Sequence, residues 1–399
     1  MPTTALSPAP RPVIFIDGIE HVALSRDVER LVIEEALSSP ARCTGRFANL
    51  TPSGRGFEFA YFGLQDVAFG RTLTVWQGIP PSTLIRMFEG RVHEVGGAYP
   101  AASPPAFVIG AEDGLAVFWR RQRTRMFEHM SDAQMIAELA AEHGLTTDIG
   151  LSGSLPVHAA TAQLNQSDAA FLADRLAAIG AEMWIDQGVL VVTDSGDGAG
   201  QTLSYGQDLL ACTVGADLSQ QRTAVGVSGW DVHGKQVILA TATAADLPAD
   251  QAGAVSGPHV LDQTFGPAVE AFVDEVPATT DGARALAVAH LRASASAFIT
   301  GRGLAIGAVA LRAGRPVTLQ GLGTLFSGAY QVTAVRHEFT LEHGWQTTFD
   351  VRRPRLGPAG TARRPEEMTH ATRDPRPGSA AGSRARKSPA RRSPSRRRR

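Results

Sequence analysis

The chain has 399 residues, 43 % of them apolar, enough for two or three domains with substantial cores. Its two cysteines, Cys43 and Cys212, are too few for a disulfide framework and too far apart for a zinc knuckle, so both are expected as buried free thiols. The net charge of −1 hides an asymmetry: residues 361–399 hold 13 Arg or Lys against 3 acids, a local +10, which leaves 25 basic and 36 acidic groups, or −11, on residues 1–360.

In chain order, residues 1–12 are Pro-rich and lack the basic and apolar regions of a secretory leader. No later apolar run nears the ~20 residues that cross a bilayer, so cytoplasmic synthesis without a signal peptide, and no membrane insertion, are expected. Val13-Ile-Phe-Ile-Asp-Gly reads as a strand ending in a turn. The stretch Asp27 to Leu37 fits helix or strand equally well. Strands are predicted at 57–62, 72–76, 84–94 and 106–109, separated by Gly70, Gly78, Pro80-Pro81, Gly96-Gly97 and Pro104-Pro105. Short strands at this spacing indicate a sandwich or barrel.

The pattern then turns helical. Ser131 with Gln134 forms a capping box ahead of the stripe Met135, Ile136, Leu139 and Ala140, and Gly144 stands at the C-terminal end. A second helix opens at Ser167, buries Phe171, Leu172, Leu176 and Ile179, and closes at Gly180. Met183 to Val192 reads as a hairpin turning near Asp186–Gly188. A third helix spans about 282–297. From 301 on the chain is a glycine-punctuated meander, with apolar residues at every second position through Tyr330 and Val332, then Val335, His337 and Phe339, the mark of strands with one buried face.

Signatures of catalysis are missing: no His-Glu-x-x-His, Cys-x-x-Cys, Walker loop or Gly-x-Ser-x-Gly elbow occurs. Gly301-Arg-Gly-Leu-Ala-Ile-Gly places its third glycine one position late for a dinucleotide fingerprint, and reads as a turn-forming loop. His337-Glu338 with Glu342-His343 could approach a metal, but on a strand His337 and Glu338 point to opposite faces. No enzyme activity and no cofactor or metal are therefore expected.

The order of segments resembles the bacteriophage late control gene D proteins, the baseplate hubs of contractile tails, and the hub portion of type VI secretion spike proteins. The resemblance rests on Gly70-Arg-Thr-Leu-Thr-Val-Trp with Met87-Phe-Glu-Gly-Arg-Val, Gln163-Leu-Asn-Gln-Ser-Asp-Ala-Ala-Phe-Leu-Ala-Asp-Arg-Leu-Ala as the helix of an inserted lobe, Ser204-Tyr-Gly-Gln-Asp-Leu with Gly229-Trp-Asp, and Pro316-Val-Thr-Leu, Phe326-Ser-Gly-Ala-Tyr-Gln-Val and Val335-Arg-His-Glu-Phe. It covers most of residues 13–353 and implies a β-rich α+β fold: a first β-barrel tube domain over 13–125, a smaller α+β inserted lobe over 126–200, and a second, similar β-barrel tube domain over 201–355 that includes the helix at 282–297. By composition, a flexible N-terminus at 1–12 and a disordered Arg-rich tail at 356–399 flank them.

The implied role is a homotrimeric symmetry adapter around a channel, joining a hexameric tail tube protein to a trimeric spike protein among other baseplate proteins, in a phage tail or contractile injection particle. Type VI relatives continue into further spike domains that this sequence does not show, which implies a separate spike. Nucleic-acid regulation through the tail and a cell-wall hydrolase with a dispersed site are the competing readings. Trp76, Phe88, Trp230, Phe326, Tyr330, Phe339 and Trp345 are the candidate interface residues. Arg391, Arg392, Arg396, Arg397, Arg398 and Arg399 are candidate polyanion contacts, against the alternative of a solvated extension.

Overall fold

A computed structural model describes residues 11–357, apart from 54–55, 64–66, 79–83, 153–154, 195–199, 232–233, 249–253, 273–276 and 278. The tail arginines from Arg391 to Arg399 lie outside the described residues. The chain opens with β1 (Pro12–Ile16), β2 (Ile19–Glu20), α1 (Val22–Asp27), β3 (Val28–Ala36) and β4 (Arg42–Ala48). A small pair, β5 (Leu50–Ser53) and β6 (Gly56–Phe59), precedes β7 (Thr72–Gln77), β8 (Ile85–Ala98) and β9 (Ala106–Glu112). The ambiguous stretch near residue 27 resolves as helix ending and strand beginning. His21 caps α1 by accepting from Leu24 N, Leu24 is fully buried, and Val28 swings to extended backbone because its β-branched neighbours line a core.

An inserted lobe follows: β10 (Gln122–Ser131), α2 (Asp132–Glu142), β11 (Thr146–Gly150), β12 (Val157–Ser167), α3 (Asp168–Ile179), β13 (Glu182–Asp186) and β14 (Val189–Thr193). Both helix starts obey the capping rules: Ser131 and Gln134 exchange bonds in a capping box, and Ser167 accepts from Ala170 N. Gln163 to Gln166, which the resemblance counted into the helix, instead finish β12 ahead of the cap Ser167, and β12 pairs with β10 in a long ribbon. The β13–β14 hairpin turns through Gln187 and Gly188, both at positive φ, as the type I′ geometry requires.

Next come β15 (Gln201–Ser204) and β16 (Leu209–Ala216), then a second insertion: β17 (Ala224–Asp231), β18 (Gln236–Thr243), β19 (Val255–Ser256), α4 (Gly257–Phe265), β20 (Val269–Phe272) and α5 (Thr280–Ser296). Here α5 lays Ala283, Ala287 and Leu291 on Val225, Val227, Ile238 and Ala242 of a three-stranded sheet, forming a core of its own. The helix expected at 282–297 is present, but it covers this small sheet. The two insertions touch where α3 meets α5, with the Cβ position of Gly180 only 3.2 Å from Ala289. The chain returns through β21 (Ile299–Ile306), β22 (Pro316–Gln320), α6 (Gly323–Phe326), β23 (Gly328–Thr340), β24 (Gly344–Arg353) and β25 (Arg355–Leu356).

Thirteen strands from both ends of the chain form one sheet, along the path β16-β21-β24-β23-β3-β4-β9-β8-β7-β1-β2, with β22 and then β15 branching from β23. Where closed barrels were expected, the ladder stays open. No ladder among the described residues joins β1 to β3, and only a single bridge, Tyr205 with Leu209, lies between β15 and β16. Each half nevertheless wraps a core: Ile14, Leu31, Phe47, Phe107 and Ile109 in the first, Leu203, Val317, Tyr330, Val332 and Phe349 in the second.

The two halves repeat one strand order. In the first it runs β1-β7-β8-β9-β4-β3, in the second β15-β22-β23-β24-β21-β16; ranked along the chain, both read first, fourth, fifth, sixth, third, second. The correspondence extends to register. The β8–β9 ladder bulges between Val92 and Glu94 and the β23–β24 ladder between Val332 and Ala334, while β3–β4 bulges between Val28 and Arg30 and β16–β21 between Leu209 and Ala211. Gly70 and Gly314 sit at the same φ of 82°, and each donates its N–H to a carbonyl just before the bulge, Val92 O and Val332 O, at 2.8 Å. One direction differs, since β1 runs antiparallel to β7 and β15 parallel to β22.

Candidate assembly surface

The junction between the halves is the ladder β3–β23, with Arg336 opposite Glu34, His337 opposite Ile33 and Glu338 opposite Val32. Alternation sorts its side chains. On the outer face Arg30 pairs with Glu338 at 2.6 Å, and Arg336 contacts both Glu34 and Glu338. On the inner face His337 is fully buried. Its Nε2–H donates to Leu311 O at 3.1 Å and its Nδ1 accepts from the Thr347 hydroxyl at 2.9 Å. Burial, reinforced by the adjacent Arg312 guanidinium, pulls the imidazole pKa down to about 3, so it stays neutral. Both ring nitrogens are thus engaged within the protein, and Glu338 faces the other side, which separates the two residues weighed as metal ligands.

The aromatic interface candidates divide by burial. Phe88, Tyr330, Phe339 and Trp345 are interior, packed in the two sheet cores, and are corrected from contact residues to core residues. The period-2 signal that picked them is produced equally by a strand's buried face, and that face is where they lie. Trp76 and Phe326 are half-buried. Trp230 is exposed at 48 %, directly opposite Val237 on the face of the β17–β18 pair turned away from α5; Leu239, 70 % exposed, lies on that same face opposite Ser228. Of the two thiols, Cys43 is buried and Cys212 only partly so.

A second exposed apolar cluster escaped the sequence reading. Phe59 lies tilted against Phe62, with centroids 4.9 Å apart, and meets Tyr99 edge-on at 6.5 Å, with Phe57 exposed on the same strand. Phe57, Phe59 and Tyr99 are all more than half exposed, and aromatic clusters of this kind mark contact sites more often than isolated apolar residues do. No local pattern joins residues 57–62 to Tyr99.

Two backbone edges complete the surface. Among the described residues β16 forms a ladder only with β21, beside the single bridge from Leu209 to Tyr205, and its strand, Leu-Leu-Ala-Cys-Thr-Val-Gly-Ala, carries no charge and no proline. β8 pairs with β7 up to Arg91 and with β9 from Arg91 to Ala98, so beyond Val92 its β7-facing side bears no ladder among the described residues. Among those residues no cluster of three metal-ligating side chains occurs, and no helix is long and apolar enough to cross a membrane.

The family model described as the Alg8 N-terminal domain matches residues 70–340, over half of the sequence. The chain belongs to the Alg8 N-terminal domain family. No curated protein matches it. This family member has the fold of solved phage tail proteins, as its resemblance implied. It is similar to the prophage MuSo2 43 kDa tail protein from Shewanella oneidensis, at 14 % identity over 87 % of this chain and 99 % of that one, with a TM-score of 0.61. A tail protein from Neisseria meningitidis gives 12 % identity over 86 % and 96 %, with a TM-score of 0.59. A protein of E. coli described as a component of the type VI secretion system gives 12 % over 85 % and 76 %, with a TM-score of 0.51. At such identities the likeness establishes the fold of the family member and leaves its role to argument.

Proposed function

We propose that the chain is a structural hub subunit of a phage tail or phage-derived contractile injection particle, acting as a homotrimeric adapter between a hexameric tail tube and a trimeric spike. The observation that carries this reading is the repeated six-strand unit, matched in strand order and bulge position, within a fold shared with phage tail proteins. Three copies would present six near-equivalent units to the tube and three identical faces to the spike, which resolves the mismatch between sixfold and threefold partners. In this reading the two units are the wall modules of the channel, the insertions lie outside them, and the work is done by surfaces rather than by a catalytic centre. The surplus of acids on residues 1–360 suits a lumen that repels passing polyanions.

Mass photometry of the purified chain, alone and with a co-expressed spike, tests the proposal. A species of three times the 42.2 kDa chain is expected. A monomer at every concentration, with no affinity for tube or spike, would overturn it.

A further inference from the structure

The repeat makes one junction visible and leaves its counterpart open. Within the chain, the fifth strand of the second unit, β23, offers one side to two partners in tandem: β22 covers residues 328–331, and β3 of the first unit covers 334–340. The corresponding strand of the first unit is β8. There β7 covers residues 85–91, and along residues 94–98 the position that β3 occupies on β23 bears no ladder among the described residues. The counterpart of β3 is β16, whose outer edge beyond the Leu209 bridge to Tyr205 likewise bears no ladder among the described residues. We propose, resting on the trimer reading above, that β16 of one copy pairs antiparallel with residues 94–98 of β8 in the next copy, reproducing between chains the β3–β23 junction found within one.

The shared bulges fix the register. Glu112 pairs with Arg91 and Arg42, and Arg352 with Gln331 and Thr300, so Arg91 and Gln331 hold equivalent places, as do Arg42 and Thr300. Glu34 opposes Arg42 and Gly215 opposes Thr300, which makes β3 Glu34 equivalent to β16 Gly215. Because Arg336 opposes Glu34 in the known junction, Gly96 opposes Gly215 in the new one; Val95 then faces Ala216, Gly97 faces Val214 and Ala98 faces Thr213. Cys212 and Val214 already turn toward the second core, so Thr213 points outward.

Two further observations favour a second copy as the occupant. Exposed edges in soluble proteins are normally guarded by charge, proline or a covering loop, and the bare edge of β16 has no guarding side chain of its own. The exposed cluster of Phe57, Phe59 and Tyr99 stands where the open segment of β8 ends, so pairing there brings apolar surface beside the new ladder.

The test is disulfide trapping in the full chain with Cys212→Ser as background, Cys43 being fully buried. Ala98→Cys with Thr213→Cys places thiols on residues directly opposed in the proposed ladder, with Cα atoms about 4.5–5.5 Å apart and within reach of a disulfide. Ala98→Cys with Gly215→Cys displaces one partner by two residues, to roughly 8 Å or more, beyond that reach. Gly215 has open space at its Cβ position, so the control variant is not strained. With copper phenanthroline and air as oxidant, the in-register pair should give covalent dimers and trimers on a denaturing gel, at least about tenfold above the displaced pair. Equal cross-linking by both pairs, or none by either in a protein that mass photometry shows to be trimeric, overturns the ladder and leaves the trimer standing. A protein that stays monomeric overturns both.

Discussion

His337 shows how one residue sets a pH response through burial. Its folded pKa of about 3 lies below the ordinary value of 6.5, so the unfolded chain binds more protons between those limits; this contribution is whole above pH 6.5 and is lost as pH falls toward 3. Asp113 has the opposite sign. It accepts from Leu115 N at 3.0 Å, and burial raises its carboxyl to about 7, so the folded state holds the extra proton between about pH 4 and 7, and stability falls as pH rises across that range. In the intact protein the two trends oppose each other. His337→Gln keeps one donor and one acceptor without the titration, and urea unfolding should show this variant gaining stability relative to the parent as pH drops from 6.5 to 4, at about 1.4 kcal/mol per pH unit at most. A gap between variant and parent that stays constant with pH would refute the assignment. Sequence displayed His337 as part of an alternating strand, but not its partners, because Leu311 reaches it from the connection between β21 and β22 and Thr347 from β24.

Among the elements, the β-bulges are the features that sequence reading touched without understanding. The apolar positions Tyr330 and Val332 step by two, then Val335 follows by three, and the added residue is the bulge at Thr333. Without it, every side chain beyond would change face, sending Arg336 and Glu338 inward and Phe339 outward. Deletion of Thr333 should therefore abolish soluble folded protein, whereas Thr333→Ala, which keeps the backbone count, should change the unfolding free energy by less than about 1 kcal/mol in urea titration. Near-native stability in the deletion would show that the register tolerates slipping. Helix caps were legible because Ser131, Gln134, Ser167 and Gly180 act on their own neighbours. The second insertion was not: α5 is alanine-rich, and its amphipathic face gives no sign of which sheet it covers.

Across the whole molecule, the two dominant features are the repeat and the uneven distribution of charge. The Arg-rich segment at 361–399 adds +10 to an otherwise acidic chain, and counterion release gives such an arm salt-dependent affinity for polyanions. Removing it should weaken double-stranded DNA binding at low salt and flatten the dependence of log affinity on log salt; an unchanged slope would mark the arm as a solvated extension. Sequence by itself determined the β-rich class, the capped helices of the first insertion, the tight hairpin between β13 and β14 and the concentration of positive charge at one end, because each depends on period, composition or residues a few positions apart. Tertiary structure alone decided that the two ends of the chain share one open sheet, that Phe88, Tyr330, Phe339 and Trp345 are core, and that the counterparts of β3 and β23, β16 and the end of β8, share no ladder among the described residues. Those outcomes depend on which strands lie side by side, and strand pairing between residues hundreds of positions apart leaves no trace in local pattern.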